Sequence, residues 1–517
     1  MAAAEAVCGG DGLRSQDVLD GLFRLADRSL VVAAGGRPAR FRLLETLRAY
    51  GQERLTEAGE ADAVAGRHTA WFLDLAERAA RHRSSLRWLR LLDADYDNLR
   101  AALDAAIAHG DHQTALRLGG ALGWYWFMFH HAEGRQRLAG VLALAADQPP
   151  SPRLALALQA AAMVEALLTP TGAAVDAGRR SLELFERFGD RQAAATSRLI
   201  LGLAELQSGQ AGAARLAEEA GAAFAEAGDA WGEAAAGLVR FVADADHLGP
   251  DRAETAGRRV LQRFRALGDH WGIALTLFGL GEVGRARGDV AGAARRFEEA
   301  LAAARQAGPT WMVGASLTYR GSLAALQGDD DRATTLYAEA VEVSRRTGMR
   351  RGLAFARNEM GSVARARGDL ERARQLHQEA LPVVREILGW SVPHTLGQLG
   401  CAEARLGDLD GAGTHLREAA TLVLATPQPA TAALILVGLA FVALGRGRAE
   451  QAAVLLGAAA ATRERIGATP TGAEWAEAEL ALDAARSRLD AGTAQAEHAS
   501  GRGLATEQAL RVALGPG

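Results

Sequence analysis

The segment GWYWFMFHHAEGR, residues 123–135, is the most unusual stretch of the chain. Trp124, Tyr125, Trp126, Phe127, Met128 and Phe129 stand directly before His130 and His131. A helix that is aromatic nearly all round must be buried on several sides. Trp124 and Trp126 are therefore candidate walls of a ligand pocket, with a packed junction between helices as the alternative. The histidines do not suggest a metal site. Adjacent helical residues point in different directions, and neither an HExxH motif nor paired cysteines accompany them. No metal and no cofactor are expected.

Other reactive groups are sparse. There is no G-x-S-x-G elbow, and Cys8 and Cys401 are the two cysteines. Cys401 falls where a helix would be packed, which leaves a thiol inert. Glu282, Glu403 and Asp244 could face a groove, and an apolar hollow would raise a carboxyl pKa enough for acid–base work. Every one of the 58 basic residues is Arg. The absence of Lys removes both a phosphate-loop lysine and a Schiff-base lysine from this polypeptide. Catalysis is thus retained as an alternative, and recognition leads.

Composition narrows the setting. The 517 residues are 49% hydrophobic and 23% charged, which is globular. The charge balance, 58 basic against 62 acidic, is −4 and offers no strong electrostatic argument for nucleic acid. Two cysteines allow one disulfide and no disulfide framework. No basic stretch followed by an apolar signal segment opens the chain. The apolar runs Leu154–Leu168 and Thr431–Leu444 are short for a bilayer span and read as buried helices. A cytoplasmic protein without membrane contact is expected.

The elements that must position these groups are helices. Residues 1–60 read as helix, Gly-Gly hairpin and helix, a partial winged-helix-like segment with a modest basic cluster at Arg37, Arg40 and Arg42. Residues 61–170 read as a helical linker domain with irregular first repeats. Over 171–445 a cadence of about forty residues takes over. One glycine series falls at Gly189, Gly228, Gly268, Gly308, Gly348 and Gly389. A second falls at Gly209, Gly249, Gly288, Gly328, Gly368, Gly407 and Gly445. Each unit is two antiparallel helices joined by Gly-Asp turns, with Gly as the positive-φ stop and Asp as the cap of the next helix. Gly202, Gly281, Gly321 and Gly361 share one register and let paired helices approach closely. Trp231, Trp271 and Trp311 share another, read as joint packing with ligand stacking as the alternative. Residues 446–517 are capping helices, the first two forming a terminal pair. The expected fold is all-α, a tetratricopeptide-like superhelix of about forty-residue helix pairs.

In such arrays the first helix of each pair lines the concave face. Positions seven, ten, fourteen and seventeen past each unit glycine give Phe278, Glu282 and Arg285, then Thr318 and Ser322, then Phe355, Asn358, Ser362 and Arg365. This mixed wall suits a peptide, a metabolite or a protein segment. It lacks the continuous Arg stripe that a nucleic-acid backbone requires.

The stretches DVLDGLFRLADRSLVVAAGG, RFRLLETLRAYGQERLTEAGE, RHTAWFLDLAE, DADYDNLRAALDAAIAHGD and EQAAVLLGAAAATRERIG resemble the latter part of large actinobacterial regulators. Those proteins join a STAND-type ATPase to a tetratricopeptide sensor and carry a LuxR-type or SARP-type DNA-binding domain. The resemblance implies a sensor module that binds a small metabolite or peptide effector in the groove. It also implies partnership with an ATPase and DNA-binding region that this sequence lacks, as an excised piece or a naturally shorter relative would. The alternatives are a protein–protein adaptor and a stand-alone enzyme of secondary metabolism built on the repeat scaffold. Direct nucleic-acid binding is not expected.

Overall fold

The computed structural model describes residues 1–514 apart from 11–12, 35–39, 83–84, 169–171, 208–211, 246–249, 309–310, 427 and 467–472. The chain divides into two compact units: residues 1–167 with 171–239, and residues 240–517 with 168–170. The glycines Gly209 and Gly249, the Gly-Gly turn and Arg37 lie outside the described residues.

The first unit begins with α1 (Ala2–Cys8), α2 (Ser15–Asp27), strands β1 (Val31–Ala34) and β2 (Arg40–Leu43), and α3 (Glu45–Glu57). The strands pair antiparallel, Val31 against Leu43 and Val32 against Arg42. Phe23 of α2 meets Phe41 of β2 edge-on at 6.3 Å, which ties helix to hairpin. There follow α4 (Ala61–Ala80), α5 (Leu86–Ala94), α6 (Tyr96–Ala108), α7 (His112–Met128), α8 (His131–Leu144), α9 (Pro152–Leu168), α10 (Gly172–Phe188), α11 (Arg191–Gln207) and α12 (Ala213–Ala227). The unit boundary falls inside α13 (Ala230–Asp244).

The second unit continues with α14 (Pro250–Leu267), α15 (His270–Ala286), α16 (Val290–Ala307), α17 (Trp311–Leu326), α18 (Asp330–Arg346), α19 (Arg350–Ala366) and α20 (Leu370–Ile387). It ends with α21 (Val392–Leu406), α22 (Leu409–Ala425), α23 (Pro429–Gly445), α24 (Ala449–Arg465), α25 (Ala473–Arg486), α26 (Ala491–Arg502) and α27 (Thr506–Leu514). Helices pair as α15 with α16, α17 with α18, α19 with α20, α21 with α22 and α23 with α24.

The punctuation works as its chemistry dictates. Gly228, Gly268, Gly288, Gly328, Gly348, Gly368 and Gly407 all take positive φ, a region a side chain resists. The aspartate after the glycine then accepts from the backbone N–H of the incoming helix: Asp289 from Gly292 at 2.8 Å, Asp329 from Arg332 at 3.1 Å, Asp369 from Arg372 at 3.2 Å. Replacing Asp289 by alanine is expected to lower the stability of the second unit by about 1 kcal/mol, read as a fall in denaturant midpoint at constant slope. Two glycines depart from the cadence. Gly389 opens a short 3-10 turn, Gly389–Ser391, ahead of Pro393. Gly445 is still helical, and the positive-φ stop is Gly447. Gly445 is needed instead for contact, since a Cβ there would stand 2.5 Å from the Leu409 side chain.

The close-approach register is also realised. A Cβ on Gly281, Gly321 or Gly361 would lie 2.7, 2.6 or 2.7 Å from the ring of Phe297, Tyr337 or His377 in the paired helix. In these three pairs the small residue on the first helix therefore seats a ring from the second helix, whereas Gly400 seats Leu416 in the same way. Phe297, Ala300, Leu301, Ala333, Leu336 and Ala340 form the buried stripe, and Trp311 packs against the same core. The two apolar runs are helices α9 and α23, and α23 is buried on all sides. Among the described residues no helix is long and apolar enough to cross a membrane.

The C-terminal helices depart from a simple terminal pair. α24 completes the pair begun by α23 and also packs broadly on α26. α25 leaves the register and lies against α19, α23 and α24.

Candidate functional site

In the first unit, the aromatic segment forms the end of α7 and its exit. Tyr125, Trp126, Phe127 and Met128 are buried, and Trp126 is fully enclosed. Trp126 Nε1 donates to the Tyr96 hydroxyl at 3.0 Å, and the Tyr125 hydroxyl donates to Asp93 at 3.0 Å. His130 stacks on Tyr96 with ring centroids 4.6 Å apart and lies 3.1 Å from the Tyr125 hydroxyl. Burial pushes the Tyr125 phenol up and the His130 imidazole down. Trp124 is half-buried, meets Trp231 edge-on at 5.5 Å and stacks on Phe127. Trp126 thus joins α7 to α6 and is shut off from solvent, whereas Trp124 keeps partial exposure.

In the second unit, the first helices α15, α17, α19, α21 and α23 each touch the next. Among the described residues the second helices do not do so to a comparable extent. The first helices therefore crowd together on one side, the inner side of a curved stack. On that side three half-buried rings from successive repeats form a row. Phe278 of α15 meets Tyr319 of α17 edge-on at 4.7 Å, and Tyr319 meets Phe355 of α19 at 5.8 Å. Phe297 packs behind them, 5.4 Å from Phe278 and 5.3 Å from Tyr319.

Charged groups of both signs flank the row. Glu282 and Arg285 pair at 3.0 Å on α15, which holds the Arg285 guanidinium above its usual range. Burial pushes the Tyr319 phenol up, with Glu282 adding to the effect. Burial also holds the Arg351 guanidinium below its usual range. Ser322 accepts from the Tyr337 hydroxyl at 3.2 Å and lies 3.3 Å from Glu359 Oε2. The arrangement offers ring faces, hydroxyls and paired charges, the equipment of a recognition surface.

The remaining expected lining residues lie deeper. Thr318 is 1% exposed and donates to the Gly314 carbonyl of its own helix. Asn358 is buried, with Oδ1 2.9 Å from His377 Nδ1. Arg365 is buried beneath α25 and paired with Glu477. Ser362 is half-buried and donates to the Asn358 carbonyl. Among the three carboxylates, Glu403 is buried and paired with His415 at 2.7 Å, Asp244 is 3.5 Å from Arg240, and Glu282 is held by Arg285. Cys401 is buried. Among the described residues no group of three His, Cys, Asp or Glu side chains could hold a metal ion. Tyr319, the middle of the row, was not among the expected residues. It stands eleven past its unit glycine, and seven, eleven and fourteen form one helical stripe as well as seven, ten and fourteen do.

An all-α array of paired helices with Gly-Asp punctuation and one small residue per helix contact defines a tetratricopeptide-like protein. The tetratricopeptide repeat model matches residues 313–386, which run from α17 into α20. The chain is 40% identical over 131 residues to proteins described as HTH-type transcriptional regulators from Mycobacterium bovis and Mycobacterium tuberculosis. The match covers 25% of this chain and 15% of those regulators' length. Among solved structures, a STAND protein with a tetratricopeptide repeat sensor from Pyrococcus horikoshii aligns at TM-score 0.44 and 15% identity, covering 74% of this chain and 54% of that one. A Rap protein complexed with competence and sporulation factor aligns at TM-score 0.49 and 13% identity, covering 69% and 96%. The chain carries a tetratricopeptide-repeat region within its second unit.

Proposed function

We propose that this chain is the effector-binding sensor of a transcriptional regulator and acts by recognition. The observation that carries the reading is the row Phe278, Tyr319 and Phe355, drawn from three successive repeats, half-buried, and flanked by charges of both signs. A small metabolite or peptide with a flat or apolar group stacks on the row and is oriented by the flanking polar groups. Because the rings sit on three repeats, a ligand bridging them changes how those repeats pack on one another. That is a differential affinity for two packings, the requirement for passing a signal. The similarity to HTH-type regulators supports an attached switch and DNA reader as partners. A cytoplasmic setting belongs to the same reading and accords with two cysteines that form no disulfide.

The test is a melting-temperature screen of the chain against metabolites and short peptides, repeated with Tyr319→Leu. That change keeps apolar volume and removes the ring face. A hit is expected to bind the variant roughly two- to tenfold more weakly. Undiminished binding by the variant would place the ligand elsewhere. Capture of a folded protein partner on the same face, with no small-molecule hit, would favour the adaptor.

A further inference from the structure

Two guanidiniums and one carboxylate meet on the first-helix side of the second unit. Arg365 stands near the end of α19, Arg405 near the end of α21, and Glu477 just past the first turn of α25. Arg365 Nη1 pairs with Glu477 Oε2, and Arg405 Nη1 pairs with Glu477 Oε1, so one carboxylate is clasped between two forks. Arg365 Nε donates to Gln398 Oε1 at 2.8 Å, and the Gln398 amide lies 3.2 Å from His394 Nε2. Arg405 also donates to the Arg365 carbonyl at 3.3 Å. The side chains of Arg365, Glu477 and Arg405 are only 1%, 6% and 16% exposed.

The charge count is uneven, two cations to one anion. Burial, and after it the neighbouring Arg365, hold the Arg405 guanidinium below its usual range. Nearly buried cations gathered from two repeats are costly unless an anion meets them, and two planar forks suit a carboxylate. Among the described residues the repeats themselves supply no such anion to this pair. It comes from α25, a helix that leaves the register of the array to lie across α19 and α23.

We propose that Arg365 and Arg405 are a carboxylate-recognition pair of the inner face, filled in cis by Glu477. A carboxylate-bearing ligand and the docking of α25 then exclude one another. Binding at the site loosens α25, and anything that holds α25 in place weakens binding, by the same factor. This inference rests on the effector reading given above and adds the chemical class of the ligand and its internal competitor.

The probe is glutarate on the full chain, with glutaramide as the neutral control and sulfate at matched ionic strength as the anion control. Glu477→Gln keeps the side-chain shape and removes the competing charge. The variant is expected to bind glutarate at least about tenfold more tightly than the unaltered chain. Adding Arg405→Met is expected to abolish the gain, and glutaramide is expected not to bind. In the unaltered chain, saturating glutarate is expected to speed amide exchange along residues 477–486 and leave α17 unchanged. Equal affinity for glutarate with and without Glu477, or binding that survives Arg405→Met, overturns the proposal. Sulfate binding as well as glutarate overturns the assignment to carboxylates. Should Glu477→Gln fail to fold, the exchange experiment on the unaltered chain decides alone, and unchanged exchange in α25 overturns the proposal. A library ligand that binds through Tyr319 while α25 exchange stays constant also overturns it, and leaves the effector reading standing. Glutarate binding with no Tyr319-dependent ligand does the reverse.

Discussion

Replacing Gly457 or Gly501 by alanine is expected to undock the C-terminal helices, at a cost of at least about 3 kcal/mol at either position. α24 and α26 cross with their backbones in contact. A Cβ on Gly457 would overlap the His498 carbonyl, and one on Gly501 would overlap the Val454 carbonyl. At Gly321, Gly361 and Gly445 the obstacle to an added methyl is a side chain, a ring or Leu409, and a side chain can turn aside. Here the obstacle is main chain on both sides, so relief requires the helices to separate. Separation would expose the contact faces themselves, which carry Ala453 one turn from Gly457 and Ala494 two turns from Gly501, both now buried. The measurement is chemical denaturation with circular dichroism and amide exchange of α26. A control is Gly140→Ala, in α8, where an added Cβ meets nothing. That change is expected to leave stability unchanged or raise it by up to about 1 kcal/mol through helix propensity. A Gly501→Ala chain as stable as the control would show that the crossing is looser than described.

The second large effect is a loss of stability in mild acid that originates at His377. This imidazole is completely buried and is pushed down from 6.5 to about 3, first by burial, then by Arg365 and His394. Below pH 6.5 the unfolded chain takes up a proton that the folded chain refuses. The contribution is therefore complete above pH 6.5 and declines as pH falls towards 3, at up to about 1.4 kcal/mol per pH unit. His415 behaves oppositely. Its hydrogen bond to Glu403 raises its pKa, so its contribution is present below pH 6.5 and fades as pH rises through the raised value. It adds no slope to the acid side. Glu133, held below its ordinary 4.5 chiefly by Arg137 and Tyr96 against an opposing burial effect, loses its contribution only in stronger acid. His68, His130 and His498 are lowered by burial too, so the comparison must be with His377→Phe. A phenyl ring is already accommodated at the equivalent place in an earlier repeat, Phe297 against Gly281. The variant is expected to be the less acid-sensitive chain between pH 6.5 and 4.5 in urea titrations. Identical pH slopes for the two chains would assign the acid sensitivity to the other histidines.

Much of the fold was legible because its determinants are local. A positive φ is required where one helix stops and the next begins, and Gly268, Gly288, Gly328 and Gly348 satisfy it within a single turn. The aspartates that follow need only reach three residues or fewer along their own chain. Gly389 and Gly445 escaped the cadence because a nearby proline and a tertiary contact with Leu409 decided those turns. The site was legible only in part. Phe278 and Phe355 fall on the inner stripe by counting, whereas Tyr319 lies one residue away from the counted position and joins them because helical stripes are wider than one residue. Thr318 and Asn358 were placed on the right helix, but their depth depends on side-chain direction and on a partner, Gly314 or His377, that position alone does not reveal. Glu477 carried no signal at all. Its partners, Arg365 and Arg405, lie far back along the chain, and α25 reaches them by abandoning the period that made the rest readable.

Helix α23 has a consequence for how this molecule comes apart. Its residues Thr431–Ala440 and Val442–Leu444 are all buried, and α21, α22, α24, α25 and α27 enclose it. No water can reach that segment while its neighbours stay in place, so its amides report the rarest opening event of the unit. Pairs such as α15 with α16 touch little beyond adjacent pairs and can detach one at a time. Mechanical or chemical stress would accordingly peel the second unit from the α15 side and leave a helical knot around α23 as the last part to yield.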